Sequence, residues 1–135
     1  QVSFPGGKQE AFESLYETSL RETEEELGIR SDKLELIGNL SPLYIPPSNF
    51  WVQPFVYFSS SKMKFIPEEK EVKEIFTFPI SKLLDEGTKK VQEVRTSQGI
   101  NTNTPGYSHN NKYIWGATAM ILSELEHIIL DYQQL

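Results

Sequence analysis

The 135-residue chain contains no cysteine. That absence removes disulfides, thiolate metal sites and cysteine nucleophiles together, so any metal must sit on oxygen or imidazole. Long apolar runs are missing too. None approaches the roughly 18 residues needed to span a bilayer, and no charged-then-apolar leader opens the chain, so the default expectation is a cytoplasmic address without membrane insertion. Basic residues are outnumbered, 13 Lys and Arg against 19 Asp and Glu, for a formal net charge of -6. This balance argues against a protein that grips nucleic acid through a broad basic surface, and it suits a site that binds an anionic ligand through a cation. With 38% hydrophobic residues, residues 1–135 read as a single globular domain able to bury a core. The chain opens at Gln1 without Met, and a strand-like piece, Gln1 to Phe4, runs directly into a Gly-rich turn. A processed or truncated protein is therefore expected.

Periodicity supplies the elements. A helical pattern from about Phe12 to Leu27 places Tyr16, Leu20, Thr23 and Leu27 on one apolar face and stops at Gly28. KLELIGNL, from Lys33 to Leu40, alternates as a strand and is broken by the prolines of SPLYIPPS. FWVQPFVYF, from Phe50 to Phe58, is apolar on both faces and predicts a buried central strand with a bulge or edge at Pro54. EVKEIFTFP (Glu71 to Pro79) predicts a strand, ISKLLDEG a short helix capped by Gly87, and KKVQEVRT a further strand. The Asn-, Thr-, Ser- and Gly-rich stretch from Gln98 to Asn111 predicts a loop. Trp115 to Tyr132, with Ala117, Ile121, Leu125, Ile128 and Tyr132 at helical spacing, predicts a closing amphipathic helix. This order implies an α+β or α/β sandwich with a mixed sheet between helices.

The first helix carries its charge at an unfavourable end. Glu22, Glu24, Glu25 and Glu26 crowd just before Gly28, and Glu22, Glu25 and Glu26 share one face. Each like-charged pair costs a few tenths of a kcal/mol, and the negative end of the helix dipole adds roughly 0.3–1 kcal/mol per charge. A divalent cation reverses both penalties; a hard one such as Mg²⁺ takes oxygen ligands and leaves coordination positions for phosphate oxygens. Arg21 can pair with Glu17 or Glu25 or reach back to Glu13, and a bidentate guanidinium would hold a carboxylate in a fixed plane. Gly6-Gly7 permits close backbone approach before the helix. A Glu-rich helix end taken alone is ordinary solvated surface. The joint spacing changes that. Gly7, Glu13, Arg21, Glu22, Glu25, Glu26, Gly28 and Ile29 satisfy G-x5-E-x7-R-E-U-x-E-E-x-G-U, where U is a bulky aliphatic residue, except that Thr23 stands where an aliphatic is usual.

That pattern resembles the signature of the Nudix hydrolases. The resemblance implies an α/β/α sandwich that cleaves nucleoside diphosphates linked to another moiety, using Mg²⁺ or Mn²⁺. It also implies that Glu22, Glu25 and Glu26 are metal ligands with the Gly7 carbonyl a further one, and that Glu13, Arg21, Glu22 and Glu25 form the catalytic set. Some members place another catalytic glutamate before the last helix, but Gln98 to Ser123 contains no Asp or Glu. The general base is then a helix carboxylate or a residue of the Pro67 to Glu74 loop such as Glu69 or Glu71, with His109 read as an exposed bystander.

QVSFPGGK, SPLYIPPSNFWVQPFV, EVKEIFTFPISKLL and YIWGATAMIL, in that order, are similar to segments of the coenzyme A pyrophosphatase-like subgroup. The resemblance implies hydrolysis of coenzyme A to 3',5'-ADP and 4'-phosphopantetheine, with ADP-ribose, a nucleotide sugar or a catalytically inactive nucleotide-binding module as alternatives. Trp115, Tyr44 and Phe50 are read as packing residues in preference to adenine stackers. Members of the subgroup carry strands and an Arg-containing signature ahead of VSFPGG. N-terminal strands missing from this chain imply a fragment of a longer protein, or a homodimer in which another copy completes the sheet.

Overall fold

Helix α1 (Leu15–Leu27) begins later than its apolar spacing predicts. Phe12 lies in the left-handed region, with φ 67°, and Ser14 supplies the cap. The Ser14 hydroxyl accepts from the Glu17 N–H at 3.1 Å, and the Glu17 carboxylate accepts from the Ser14 N–H at 3.1 Å. This reciprocal pair satisfies two donors that a helix start otherwise leaves unpaired. Gly28 ends the helix where expected, with φ 70° and its N–H bonded to the Glu24 carbonyl. The last two helix carbonyls are also satisfied: Leu27 accepts from the Ile66 N–H at 2.8 Å and Glu26 from the Glu68 N–H at 3.0 Å.

The computed structural model describes residues 1–135 in two compact units: Phe4–Leu40 with Gln53–Thr77, and Gln1–Ser3 with Ser41–Val52 and Phe78–Leu135. In the first unit, α1 is joined by the antiparallel strands β1 (Glu35–Asn39) and β4 (Phe55–Phe58), with a register shift between Leu36 and Gly38. The Tyr16 ring meets Phe55 edge-on at 6.0 Å and Tyr57 at 6.1 Å. Ile29 and Leu40 are buried here, but the predicted α1 stripe is covered only in part. Thr18 is the one fully buried residue of the helix, and Tyr16 stays exposed.

The second unit holds the hairpin β2 (Leu43–Ile45) and β3 (Phe50–Val52), a three-stranded antiparallel sheet of β5 (Lys89–Arg95), β6 (Asn101–His109) and β7 (Lys112–Trp115), and helices α2 (Ile80–Leu83) and α3 (Gly116–Gln133). Leu83, Tyr107, Ile114, Ala119 and Leu122 are its buried apolar residues, and the leucine and isoleucine side chains among them are each worth about 1.5–3 kcal/mol when fully withdrawn from water. The buried stripe of α3 is Thr118, Ala119, Leu122 and Glu126, adjacent to the predicted one. Glu126 is 1% exposed, a position that a carboxylate tolerates only when paired. Tyr107 Oη donates to Glu126 Oε1 at 2.9 Å, and Lys89 Nζ lies 2.7 Å from Oε2. Burial raises this acid, but the Lys89 and Tyr107 donors outweigh it and hold the group below the usual carboxylate range.

The α/β class is as expected, although the strands form three antiparallel sheets instead of one mixed sheet. Four segments differ from their sequence patterns. Gln1 to Phe4 is not a strand, and neither is Glu71 to Pro79, which has no partner strand to complete its backbone pairing. Phe50 to Phe58 splits into β3 and β4, which pair with different strands. The break at Gln53-Pro54 is stabilised by the Leu40 N–H bonding the Pro54 carbonyl at 3.1 Å and by Gln53 Nε2 donating to Leu40 O at 2.7 Å. The predicted Gln98 to Asn111 loop instead contains β6, the longest strand. Its Pro105 lies just before the stretch paired with β7, Gly106 to His109, so no β7 bond is lost to the missing N–H. ISKLLDEG forms α2 followed by a 3₁₀ turn over Glu86–Thr88. No helix is long and apolar enough to cross a membrane.

A Cβ added at Gly28 would lie 2.7 Å from Ile66 Cβ and 3.1 Å from the Ile66 carbonyl oxygen. Gly28→Ala combines that clash with left-handed strain and is expected to cost about 1–3 kcal/mol of stability. Urea unfolding checks this, and an unchanged midpoint would contradict it.

Candidate active site

The acidic site is built from α1 and the segment that precedes it. Arg21 is its hub. Its Nε donates to Glu13 Oε2 at 3.1 Å and its Nη2 to Glu13 Oε1 at 2.8 Å, a side-on, two-bond pairing. Nη2 also reaches the Lys8 carbonyl at 3.1 Å. Nη1 serves the other side, donating to Glu22 Oε1 at 3.2 Å and to the two Glu25 oxygens at 3.3 and 3.2 Å. Of the partners open to Arg21 in the sequence, Glu13 and Glu25 are used; Glu17 is committed to the helix cap. Glu22 joins as a third acid. The guanidinium is only partly exposed, 23% of its side-chain reference, so these bonds are less screened than those of a surface pair.

The Gly6-Gly7 turn lies on the same helix face. The Gly6 N–H donates to Glu26 Oε1 at 3.2 Å. Glu22 fills the space beside Gly7 so closely that a Cβ there would overlap the carboxyl group itself. A side chain at position 7 would therefore displace the Glu22 carboxylate, and the turn brings backbone against two of the predicted site carboxylates. Burial is the main influence raising Glu26, opposed by the Gly6 N–H and reinforced by the neighbouring Glu22 and Glu71 carboxylates. Glu24 faces solvent, as expected. Arg21 draws Glu22 and Glu25 together, while Glu26 turns to Gly6; in this arrangement no three acids converge on one point.

The Pro67 to Glu74 loop meets the acidic end of α1 through backbone. The Glu68 N–H is bonded to the Glu26 carbonyl, and the loop turns on itself with the Glu71 and Val72 N–H groups donating to the Glu68 carbonyl. Glu71 is near enough to Glu26 to raise it electrostatically. His109 lies at the end of β6 in the other unit, half-buried, with its ring centroid 5.3 Å from that of Phe78, so it is a packed strand residue and not an exposed loop one. Tyr44 packs on Trp51 with centroids 5.4 Å apart and donates to Asn49 Oδ1 at 2.6 Å. Phe50 is 50% exposed, and Trp115 is the residue before α3.

Two supporting residues escaped the sequence reading. Ser14 could have been found from S-x-x-E over Ser14 to Glu17, a capping-box spacing. Thr18 had no such signal; its hydroxyl meets Glu13 Oε1 at 2.8 Å and the Ser14 carbonyl at 3.0 Å.

The Arg21 hydrogen bonds are the leading influence that lowers Glu13 to about 2, aided by the Glu10 N–H. A depressed acid contributes stability fully above its unfolded value, about 4.3, and loses that contribution as pH falls through the folded value. Glu13→Gln should therefore be destabilising at pH 7, with the gap from wild type narrowing between about pH 4.5 and 2. Urea midpoints measured across that range check the sign; a gap that widens on acidification would contradict it.

Comparison with known proteins fits this geometry. The model of the NUDIX domain matches residues 1–97. Nudix hydrolase 3 of Caenorhabditis elegans is 31% identical over 139 aligned residues, covering 92% of this chain and 58% of that protein. Nudix hydrolase NudL of Yersinia pestis, itself described as uncharacterized, is 33% identical over 126 residues, covering 93% of this chain and 62% of that protein. The chain thus spans about three fifths of the length of these curated relatives. With the domain model covering well over half of the chain and the signature residues gathered around Arg21 and Gly7, this chain belongs to the Nudix family.

Proposed function

We propose that the chain hydrolyses the diphosphate bond of a nucleoside diphosphate derivative at the acidic face of α1. The observation that carries this reading is the seating of the Gly6-Gly7 turn on Glu22 and Glu26. A turn lacking side chains, held against crowded carboxylates, brings backbone carbonyl oxygens close to carboxylate oxygens, and such oxygens are the donors that a hard divalent cation takes. The donor chemistry, carboxylate and backbone oxygen, fits Mg²⁺ or Mn²⁺; Glu22, Glu25 and Glu26 would hold the ion with the Gly7 carbonyl as a further ligand once the acids turn from Arg21 and Gly6, since they do not converge in the arrangement described. When bound, the cation supplies charge neutralisation of the diphosphate and a lowered pKa for water.

The chain's own residues do the remaining work. Arg21 keeps the Glu22 and Glu25 carboxylates oriented, and Glu13 fixes Arg21 by its two-bond contact. Glu71, beside Glu26, is the loop acid best placed to take a proton from attacking water; Glu69 shares its loop. The favoured substrate is coenzyme A, on the likeness of QVSFPGGK and the later segments to the pyrophosphatase subgroup. ADP-ribose and nucleotide sugars share the same diphosphate core.

Glu22→Gln and Glu26→Gln should each lower Mg²⁺-dependent turnover by about a hundredfold or more while leaving the circular dichroism spectrum unchanged. Full activity in both variants would remove the metal-site assignment. A panel of coenzyme A, ADP-ribose and nucleotide sugars should rank coenzyme A first by kcat/KM. If coenzyme A ranks last, the substrate preference is wrong although the hydrolase reading survives.

A further inference from the structure

We propose that Thr18 is a positioning residue for the acidic site, its hydroxyl locking the Glu13 carboxylate in the plane from which Arg21 holds Glu22 and Glu25. The inference rests on the function proposed above for what the site does, but its geometry stands apart from it. Thr18 is 4% exposed, and threonine is a mediocre helix former whose branched side chain crowds the preceding turn. Helix stability alone does not call for a hydroxyl here. Its oxygen has two acceptors in reach, the Ser14 carbonyl at 3.0 Å and Glu13 Oε1 at 2.8 Å. The shorter contact is to the ionised group, which makes the stronger hydrogen bond.

That bond completes a set. Glu13 Oε1 receives the Thr18 hydroxyl, the Glu10 N–H at 2.8 Å and Arg21 Nη2 at 2.8 Å, while Oε2 receives Arg21 Nε at 3.1 Å. The donors approach from the helix, the preceding turn and the guanidinium, so the carboxylate cannot rotate without breaking a charged bond. Because Arg21 is planar, fixing its Nε and Nη2 through Glu13 also fixes Nη1, the atom that contacts Glu22 and Glu25. Thr18 makes no hydrogen bond to either of those acids, so it acts on them only through Glu13 and Arg21.

The test compares Thr18→Val, which keeps the branched shape and removes the hydroxyl, with Thr18→Ser, which keeps the hydroxyl. Two readouts are used: water exchange of the Arg21 Nε–H by ¹⁵N NMR, and the Kd for Mn²⁺ alone by calorimetry. In Thr18→Val, Arg21 exchange should quicken and the Mn²⁺ Kd should rise, each by about ten- to a hundredfold, the scale of one lost hydrogen bond to a charged outer-shell group. Thr18→Ser should restore both. Wild-type values in Thr18→Val would overturn the proposal, as would equal losses in the serine variant, which would assign the effect to the methyl group. If Thr18→Val does not fold, Thr18→Ala against Thr18→Ser makes the same comparison. Wild-type protein that binds Mn²⁺ but cleaves no diphosphate would sink the hydrolase reading and leave these comparisons decisive. Were it to bind no Mn²⁺, the Arg21 exchange rate alone would decide.

Discussion

A single guanidinium organises the first unit's chemistry. Arg21 contacts a turn carbonyl, the acid preceding the helix and two acids of the helix itself. Remove it, and Glu22 and Glu25 become mutually repelling charges at the end of α1 where the helix dipole already disfavours them. The cluster is tolerable because one cation with five donors serves several oxygens at once, and because Glu13 fixes that cation from behind. Glu22 and Glu25 are in this sense held in place by a neighbour on their own helix, itself held by Glu13 from the segment before it.

The site was legible in the sequence to the extent that its logic is local. Spacing placed the acids on one face, Gly28 at the helix end and the Gly6-Gly7 turn before it, and all of these are seen. The choice among partners for Arg21 was not legible. It depends on the conformation of residues 8 to 14, where Phe12 takes a left-handed backbone and Glu13 accepts the Glu10 N–H. Side-chain periodicity carries no information about such a turn. Thr18 was hidden for a related reason: a threonine on a helix reads as neutral until its acceptor is known.

Strand assignments were weakest where pairing, not pattern, decides. Glu71 to Pro79 alternates well but pairs with no strand. Asn101 to His109 hardly alternates, yet it becomes a strand because β5 and β7 stand on either side of it. In α3, apolar residues cover much of the helix circumference, so periodicity could not separate the Ala117 to Tyr132 stripe from the adjacent one that is buried. The partners of Glu126, Lys89 and Tyr107, come from β5 and β6, and without them a carboxylate would be assigned to solvent.

The hydrogen bonds from Ile66 and Glu68 to the last carbonyls of α1 do more than finish a helix. They splice the acidic loop onto the helix as a backbone continuation, bypassing the intervening strands. The separation between Glu26 and the acids at positions 68 to 71 is thereby set by main-chain geometry, which is indifferent to side-chain identity. Loop residues can then vary in chemistry without changing where the loop stands, while the helix acids keep their address.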